Sequence, residues 1–206
     1  MTVIGMVLAA GASRRLRPET DELPTVLLPV AGETTILDIA LRNLAAVGMR
    51  EVVIVVGHAA RAIADRAADL EASYGITLEL VHNGRALEWN NAYSLWLARE
   101  YFSRGALLVN GDTVHPVSVE KALLAARGMG AARVIVAVDN SRPLGDGEMK
   151  VLLDARGLLS KISKKLDPAR AYGEYAGATL IESSAAIPLA RPWSGVTMSR
   201  QDSFAR

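Results

Sequence analysis

Hydrophobic positions along the chain follow two rhythms. Residues 3–8 (Val3-Ile4-Gly5-Met6-Val7-Leu8) form an almost continuous apolar run of strand length, and similar short runs recur at 51–56, 77–81, 106–110 and 133–138. Strands covered on both faces of a parallel sheet read this way. Between these runs apolar residues return every three or four positions, first as Ile36, Leu37, Ala40, Leu41, Leu44, Ala45 and Val47, then as Ile63, Ala67 and Leu70. That spacing predicts amphipathic helices over 36–47 and 60–74. Thr34 or Thr35 caps the first, Gly48 follows it, and Gly75 closes the second. Two further helices are predicted over 91–102 and 118–127, and a short extended segment over 27–30. The alternation of strand and helix predicts an α/β fold with a mostly parallel, doubly wound sheet, helices on both faces and ligands gathered at the carboxyl ends of the strands.

Beyond Asn140 the rhythm changes. Pro143, Gly145 and Gly147 break the chain, and 149–153 with 159–162 read as a β-hairpin around Asp154-Ala155-Arg156-Gly157, a wall on the substrate side. A returning strand is predicted over 176–181 and a short helix over 183–187, stopped by Pro188. Residues 1–190 are expected to form one domain. Residues 191–206, aperiodic and rich in serine and arginine, are expected to be an irregular or disordered tail.

Composition narrows the chemistry. The 206 residues are half hydrophobic, and 23 basic against 22 acidic residues leave a net charge of +1, so no global field draws the chain to nucleic acid or to an acidic membrane. With no cysteine, thiol catalysis, disulfides and thiolate metal sites are absent, which fits a cytoplasmic protein. No apolar run reaches the roughly 18 residues of a membrane span, and the N-terminus lacks the order of a signal peptide, so no membrane insertion is expected. His58, His82 and His115 stand apart in sequence and offer no zinc-ligand spacing.

The first strand ends in Ala9-Ala10-Gly11-Ala12-Ser13, followed by Arg14, Arg15 and Arg17. Successive amides in such a small-residue turn form a nest for phosphate oxygens. Gly11 permits either a positive φ or close approach of a ligand, and the arginines add fixed charge. This is a candidate polyphosphate site, yet neither common phosphate motif fits. The P-loop needs a second glycine followed by lysine, and the dinucleotide fingerprint needs Gly-x-Gly-x-x-Gly with an acidic residue ending the second strand. Asn110-Gly111-Asp112 sets a carboxylate where another core strand leaves the sheet; on local grounds an ordinary turn is the plainer reading, and the pairing with the first loop is what points to function. In Glu88-Trp89-Asn90-Asn91-Ala92-Tyr93-Ser94, spacing alone reads as a capped helix start with core aromatics.

The run Leu8-Ala9-Ala10-Gly11, then Arg15-Leu16-Arg17-Pro18-Glu19-Thr20, then Leu23-Pro24-Thr25 and an apolar segment resembles the signature of the nucleotidyltransferases that join a nucleoside triphosphate to a phosphorylated small molecule. Asn90-Asn91-Ala92-Tyr93-Ser94-Leu95, Glu148-Met149-Lys150-Val151, Ile162-Ser163-Lys164 and Gly173-Glu174-Tyr175-Ala176-Gly177 are similar to the phosphocholine cytidylyltransferase branch. The resemblance implies a Rossmann-like, GT-A-like sheet, CTP as donor, a phosphorylated acceptor and Mg²⁺. It implies that Leu8 to Ser13, Gly111, Asn91 and Ser94 bind the nucleotide, that Arg15, Lys164 and Asp112 are catalytic, and that Asp112 is the metal ligand. Aromatic faces with a nearby carboxylate suit a quaternary ammonium, so Trp89, Tyr93, Tyr172, Tyr175, Glu88 and Glu174 are expected to build a cage for the acceptor; inositol phosphate, sugar phosphates and aminophosphonates remain open beside phosphocholine, as does a homodimer. Two departures accompany it. Thr25 stands at the family's phosphate-binding lysine, and no second metal carboxylate follows the returning strand, which keeps a catalytically impaired nucleotide-binding homologue as the alternative. A metal-dependent glycosyltransferase would carry Asp-x-Asp where this chain has Gly111-Asp112-Thr113.

Overall fold

A computed structural model describes residues 3–12, 16–129 and 133–186. Ten strands and four α-helices follow in the order β1 (Ile4–Ala9), β2 (Pro29–Ala31), β3 (Thr34–Thr35), α1 (Ile36–Ala46), β4 (Glu51–Val56), α2 (Ala60–Tyr74), β5 (Thr77–His82), α3 (Asn91–Leu97), β6 (Ala106–Asn110), α4 (Ser118–Ala125), β7 (Val134–Asp139), β8 (Lys150–Leu153), β9 (Leu159–Ser163) and β10 (Gly173–Ile181). The main sheet runs β5-β4-β1-β6-β10, with β8 and β9 continuing from the start of β10 and β7 on its other edge. β5, β4, β1 and β6 are mutually parallel, while β10 returns antiparallel to β6. This is the mostly parallel α/β sheet that the pattern predicts.

The pleat sends alternate residues of each strand to opposite faces, and each face has its own core. Val7, Val52, Ile54, Leu107 and Val109 meet Leu37, Leu41 and Leu44 of α1, Ile63 and Leu70 of α2, and Leu123 of α4. Ile4, Met6, Val53, Val55 and Leu108 meet Ala98 and Phe102 on the other side. α1 docks close because Gly5 faces it: a Cβ there would stand 2.9 Å from a Val52 methyl and 3.1 Å from Leu44.

Several elements differ from the sequence pattern in instructive ways. Thr25–Leu27 forms a 3-10 turn, and Pro29–Ala31 is the strand, pairing with Thr34–Thr35 as a small separate ribbon. The helix expected over 91–102 stops at Leu97 and continues as a 3-10 segment, Arg99–Arg104. There the Arg99 guanidinium donates to the Trp96 carbonyl at 2.7 Å, a side-chain donor where the helix leaves its last carbonyls without amides. Beyond β10, where the pattern predicts a short helix over 183–187, Ser183–Ala185 forms a 3-10 turn and Ala186 is helical, while residue 187 and the expected tail lie outside the described residues.

Asp38 joins α1 to α2. Its carboxylate accepts from the Thr35 amide at 2.9 Å and hydroxyl at 2.6 Å, and from the Tyr74 hydroxyl at 2.8 Å, with Arg66 at 3.5 Å. Burial alone would raise the Asp38 pKa, but the Thr35 and Tyr74 hydrogen bonds and the Arg66 charge outweigh it and hold the group below its ordinary 3.8. Burial, then the bond to Asp38, push Tyr74 up to about 12. Asp38→Ala should therefore cost about 2–3 kcal/mol in denaturant melts, from the lost capping box and the unpaired donors. Because the folded pKa is depressed, the pH-dependent part of this stability is present above the unfolded value and is lost as pH falls through the folded one. On acid titration the gap between wild type and variant should narrow through that range and stay constant below it.

Candidate active site

β1 and β6 lie side by side in parallel register, Leu8 opposite Asn110, so both chains leave the sheet together. The Gly111 amide donates to the Leu8 carbonyl at 2.9 Å. A Cβ on Gly111 would stand 2.5 Å from that oxygen and 2.4 Å from a Val26 methyl, contacts that only glycine avoids. Asp112 is thus fixed beside the first loop. A narrow cleft of about 60 Å³ forms between them, lined by Leu8, Ala9 and Gly11, by Thr25 and Val26, by Asn91, and by Asn110, Gly111 and Asp112. Gly11 is not among the residues of positive φ, and none of the described residues lies within 4 Å of where its Cβ would be. Of the two uses its sequence position allowed, open approach is the one realised.

The loop is braced from the β4 side. The His58 amide donates to the Ala10 carbonyl at 3.1 Å. The His58 ring lies with Nε2 2.8 Å from the Thr20 carbonyl, and since a carbonyl only accepts, Nε2 carries the hydrogen. These two bonds tie segments 9–12 and 16–20 to one residue.

A second, larger cavity of about 810 Å³ opens on the other side of Asp112, between α4, β7 and the start of β10. Its polar end carries Asp112, Thr113, Asp139, Arg142, Glu174 and Tyr175; Val119, Ala122, Leu123, Ile135 and Ala137 form the apolar wall. Asp112 lines both cavities. Arg142 pairs with Glu174 at 2.6 Å and faces Asp139 at 3.9 Å. Hydrogen bonds from the Ser141 hydroxyl and amide hold the Asp139 carboxyl below its ordinary value. The Tyr175 hydroxyl is 2.8 Å from the Thr179 hydroxyl, and burial, with the charge of Asp112 adding to it, pushes the phenol up. Gly177, at φ 79°, lets β10 bulge against Thr113, whose side chain would lie 2.5 Å from a Cβ there.

The candidate residues divide on this geometry. Leu8, Ala9, Gly11, Asn91, Gly111 and Asp112 share the narrow cleft. Ala10 is buried with its carbonyl engaged, and Ala12 is buried. Ser13 and Arg15 lie outside the described residues. Ser94 is buried, its hydroxyl accepting from Asn83 at 3.0 Å, which ties α3 to the loop after β5. Trp89 and Tyr93 line neither cavity. They belong to a ladder in which Tyr93 stacks on Trp96 at 5.7 Å and tilts toward Trp89 at 6.1 Å, with the Arg85 guanidinium 5.0 Å from the Trp89 ring and Arg99 4.1 Å from Trp96. Glu174 and Tyr175 line the larger cavity instead. Lys164 lines neither cavity; it is exposed, just past the end of β9. The motif reading missed Arg142, whose clue was only its place beside the chain-breaking Pro143, and Asn83, which gave no sign in sequence of its partner Ser94.

Among the described residues no three acidic or histidine side chains converge. Asp112, exposed at a strand end and beside an amide-lined loop, suits Mg²⁺ that draws its other ligands from phosphate oxygens and water.

Together the parallel sheet, the small-residue loop and the carboxylate at the neighbouring strand end define a nucleotide-handling α/β protein. The model of the nucleotidyl transferase family matches residues 4–164, and the chain belongs to that family. It is 37% identical over 158 residues to CMP-5'-(3-aminopropyl)phosphonate synthase of Streptomyces rubellomurinus, covering 77% of this chain and 24% of that protein. It is 32% identical over 95 residues to choline-phosphate cytidylyltransferase of Streptococcus pneumoniae, covering 46% of this chain and 38% of that protein. The chain thus spans well under half the length of these relatives. The inositol-1-phosphate CTP transferase from T. maritima superposes with a TM-score of 0.76 at 23% identity, over 95% of this chain and 75% of that one. This likeness is one of fold. No described helix is long and apolar enough to cross a membrane.

Proposed function

We propose that the chain carries out CTP-dependent nucleotidyl transfer to a phosphorylated small molecule of the phosphocholine kind, releasing pyrophosphate. The observation that carries this is that Asp112 lines both cavities, the narrow one beside the phosphate-type loop and the wide one with Glu174 and Tyr175. Two substrates held in those cavities would meet at one carboxylate. The names of the relatives, which act on a phosphonate, on choline phosphate and on inositol phosphate with a cytidine nucleotide, support the same class.

The chemistry asks little of side chains as nucleophiles or bases. An acceptor phosphate, with a second pKa of about 6, is already ionised near neutrality. One of its oxygens forms a bond to the α-phosphorus while the bond from that phosphorus to the oxygen bridging to the β-phosphorus breaks, and pyrophosphate departs with that oxygen. Catalysis of such a step is positioning and charge stabilisation. In this proposal the amides of the first loop and Arg15 hold the triphosphate, Lys164 faces the phosphates, and Asp112 holds Mg²⁺, which when bound would neutralise charge on the phosphate oxygens. Asn91 sits at the base or acceptor end of the cleft, and Ser94 acts through its bond to Asn83. Glu174 and Tyr175 contact the acceptor; Trp89 and Tyr93 border its approach.

Incubation with Mg²⁺, each of the four triphosphates and a panel of phosphorylated acceptors tests the proposal by pyrophosphate release. Release with CTP and one acceptor class is expected. No release with any pair, alongside thermal stabilisation by CTP, would instead favour an impaired nucleotide-binding homologue. One observation supports that second reading: Thr25 lines the narrow cleft, where a lysine would bring charge to the phosphates. Thr25→Lys should therefore raise turnover by roughly tenfold or more; an unchanged rate would mean that Thr25 limits nothing.

A further inference from the structure

Lys150 is the least ordinary side chain of the fold. It opens β8 and is fully buried, 0% exposed, although its neighbours in sequence give it the look of a solvated strand residue. Its ammonium donates to three main-chain carbonyls, those of Asp146 at 3.0 Å, Glu148 at 3.3 Å and Lys164 at 2.7 Å. A neutral amine has two hydrogens and a lone pair that would face the third oxygen, so the arrangement fits the charged form, which has three donors. Burying an ammonium is costly unless every donor is satisfied, and here backbone alone satisfies it.

The three acceptors come from two segments, the turn before β8 and the residue after β9, at the end of the β8–β9 ladder. Asp146 and Glu148 belong to the turn before β8, in which the Gly145 amide donates to the Glu148 carboxylate at 2.9 Å. Lys164 is the residue after β9, and its side chain and that of Lys165 are exposed. Lys150 itself pairs with Ser163 across β8 and β9 and with Glu174 across β10, the strand that brings Glu174 and Tyr175 to the larger cavity. One ammonium therefore sets the place of the Lys164 main chain relative to the cavity rim.

We propose that Lys150 is a positioning residue for transfer, acting through Lys164: it fixes the backbone from which the Lys164 side chain would reach bound phosphates. This rests on the function proposed above. Without the ammonium, residue 164 keeps the β8–β9 ladder that ends at Ser163 but loses the side-chain donor on its own carbonyl, and a displacement of about 1 Å at a phosphate-binding group can cost roughly 10²-fold in rate.

A double-mutant cycle tests this, with kcat for pyrophosphate release and the thermal midpoint measured for Lys150→Met, Lys164→Ala and the pair. Lys150→Met should lower kcat by about tenfold or more while remaining folded at the assay temperature, and the further loss should shrink to within about twofold once Lys164 is alanine. A loss of the same factor in both backgrounds, or an unchanged kcat in folded Lys150→Met, overturns the role. Should the methionine variant not fold, Lys150→Arg carries the same cycle. Its loss disappears in the Lys164→Ala background if the cation acts through Lys164, and persists there if it does not. Should the wild-type chain bind CTP without turnover, the cycle is read in CTP affinity by calorimetry. Absence of both turnover and CTP binding in wild type removes the proposed function and this role with it; additive losses in an active chain remove this role alone.

Discussion

Replacing Asp112 by asparagine should lower pyrophosphate release by about three decades or more while leaving the fold intact. The side chain is exposed and makes none of the core contacts, so its loss has little to destabilise. Its carboxylate, however, is the sole acidic group among the described residues lining the narrow cleft. A metal ion at a transferring phosphate contributes several kcal/mol of charge stabilisation, and about 1.4 kcal/mol corresponds to tenfold in rate. The expected pattern is a collapse of kcat with a thermal midpoint within a degree or so of wild type, and with excess Mg²⁺ restoring little. Retention of more than about a tenth of the wild-type rate would remove Asp112 from the centre of the chemistry.

The second large effect is expected one residue earlier. Gly111→Ala places a Cβ 2.5 Å from the Leu8 carbonyl and 2.4 Å from the Val26 methyl. Val26 could turn aside, but the Leu8 oxygen belongs to a core strand and accepts the Gly111 amide. Residue 111 must therefore move outward, carrying Asp112 with it. Overpacking of this kind costs about 1–3 kcal/mol, and misplacing a catalytic group by about 1 Å costs roughly 10²-fold. Gly111→Ala should show both losses, whereas Asp112→Asn should show only the kinetic one. Chemical denaturation run beside the kinetic assay separates them. An alanine variant of full activity would mean that the close packing of β1 and the 110–112 turn does not govern the position of Asp112.

The features that carry these expectations were legible in sequence to different depths. Both ends of the narrow cleft could be read from one dimension, because Val3 to Leu8 and Ala106 to Asn110 have the composition of buried strands and parallel strands put their carboxyl ends on one side. Gly11 and Asp112 followed from that logic before any distance was known. Side-chain partnerships across long separations could not be read. Ser94 carries the spacing of an exposed first helical turn, but Asn83, 11 residues earlier, folds back on it. Trp89 and Tyr93 were grouped with Glu174 and Tyr175 because carboxylates and aromatics suit a cationic acceptor; the fold stacks the first pair with Trp96 and turns the second toward another cavity. Lys150 stands in a run similar to the cytidylyltransferase branch, but nothing local announces that three carbonyls will converge on it. The helix over 91–102 was overextended for a related reason: its apolar period continues, while the Arg99 bond to Trp96 falls where the α-helix gives way to a tighter turn.

The most direct test is a crystal structure of the chain with CTP and Mn²⁺, the metal located by its anomalous scattering. The account predicts a manganese ion bound to the Asp112 carboxylate and to phosphate oxygens, with the triphosphate lying against the amides around Gly11. A nucleotide bound elsewhere, or a metal that ignores Asp112 while the triphosphate is in place, would contradict it.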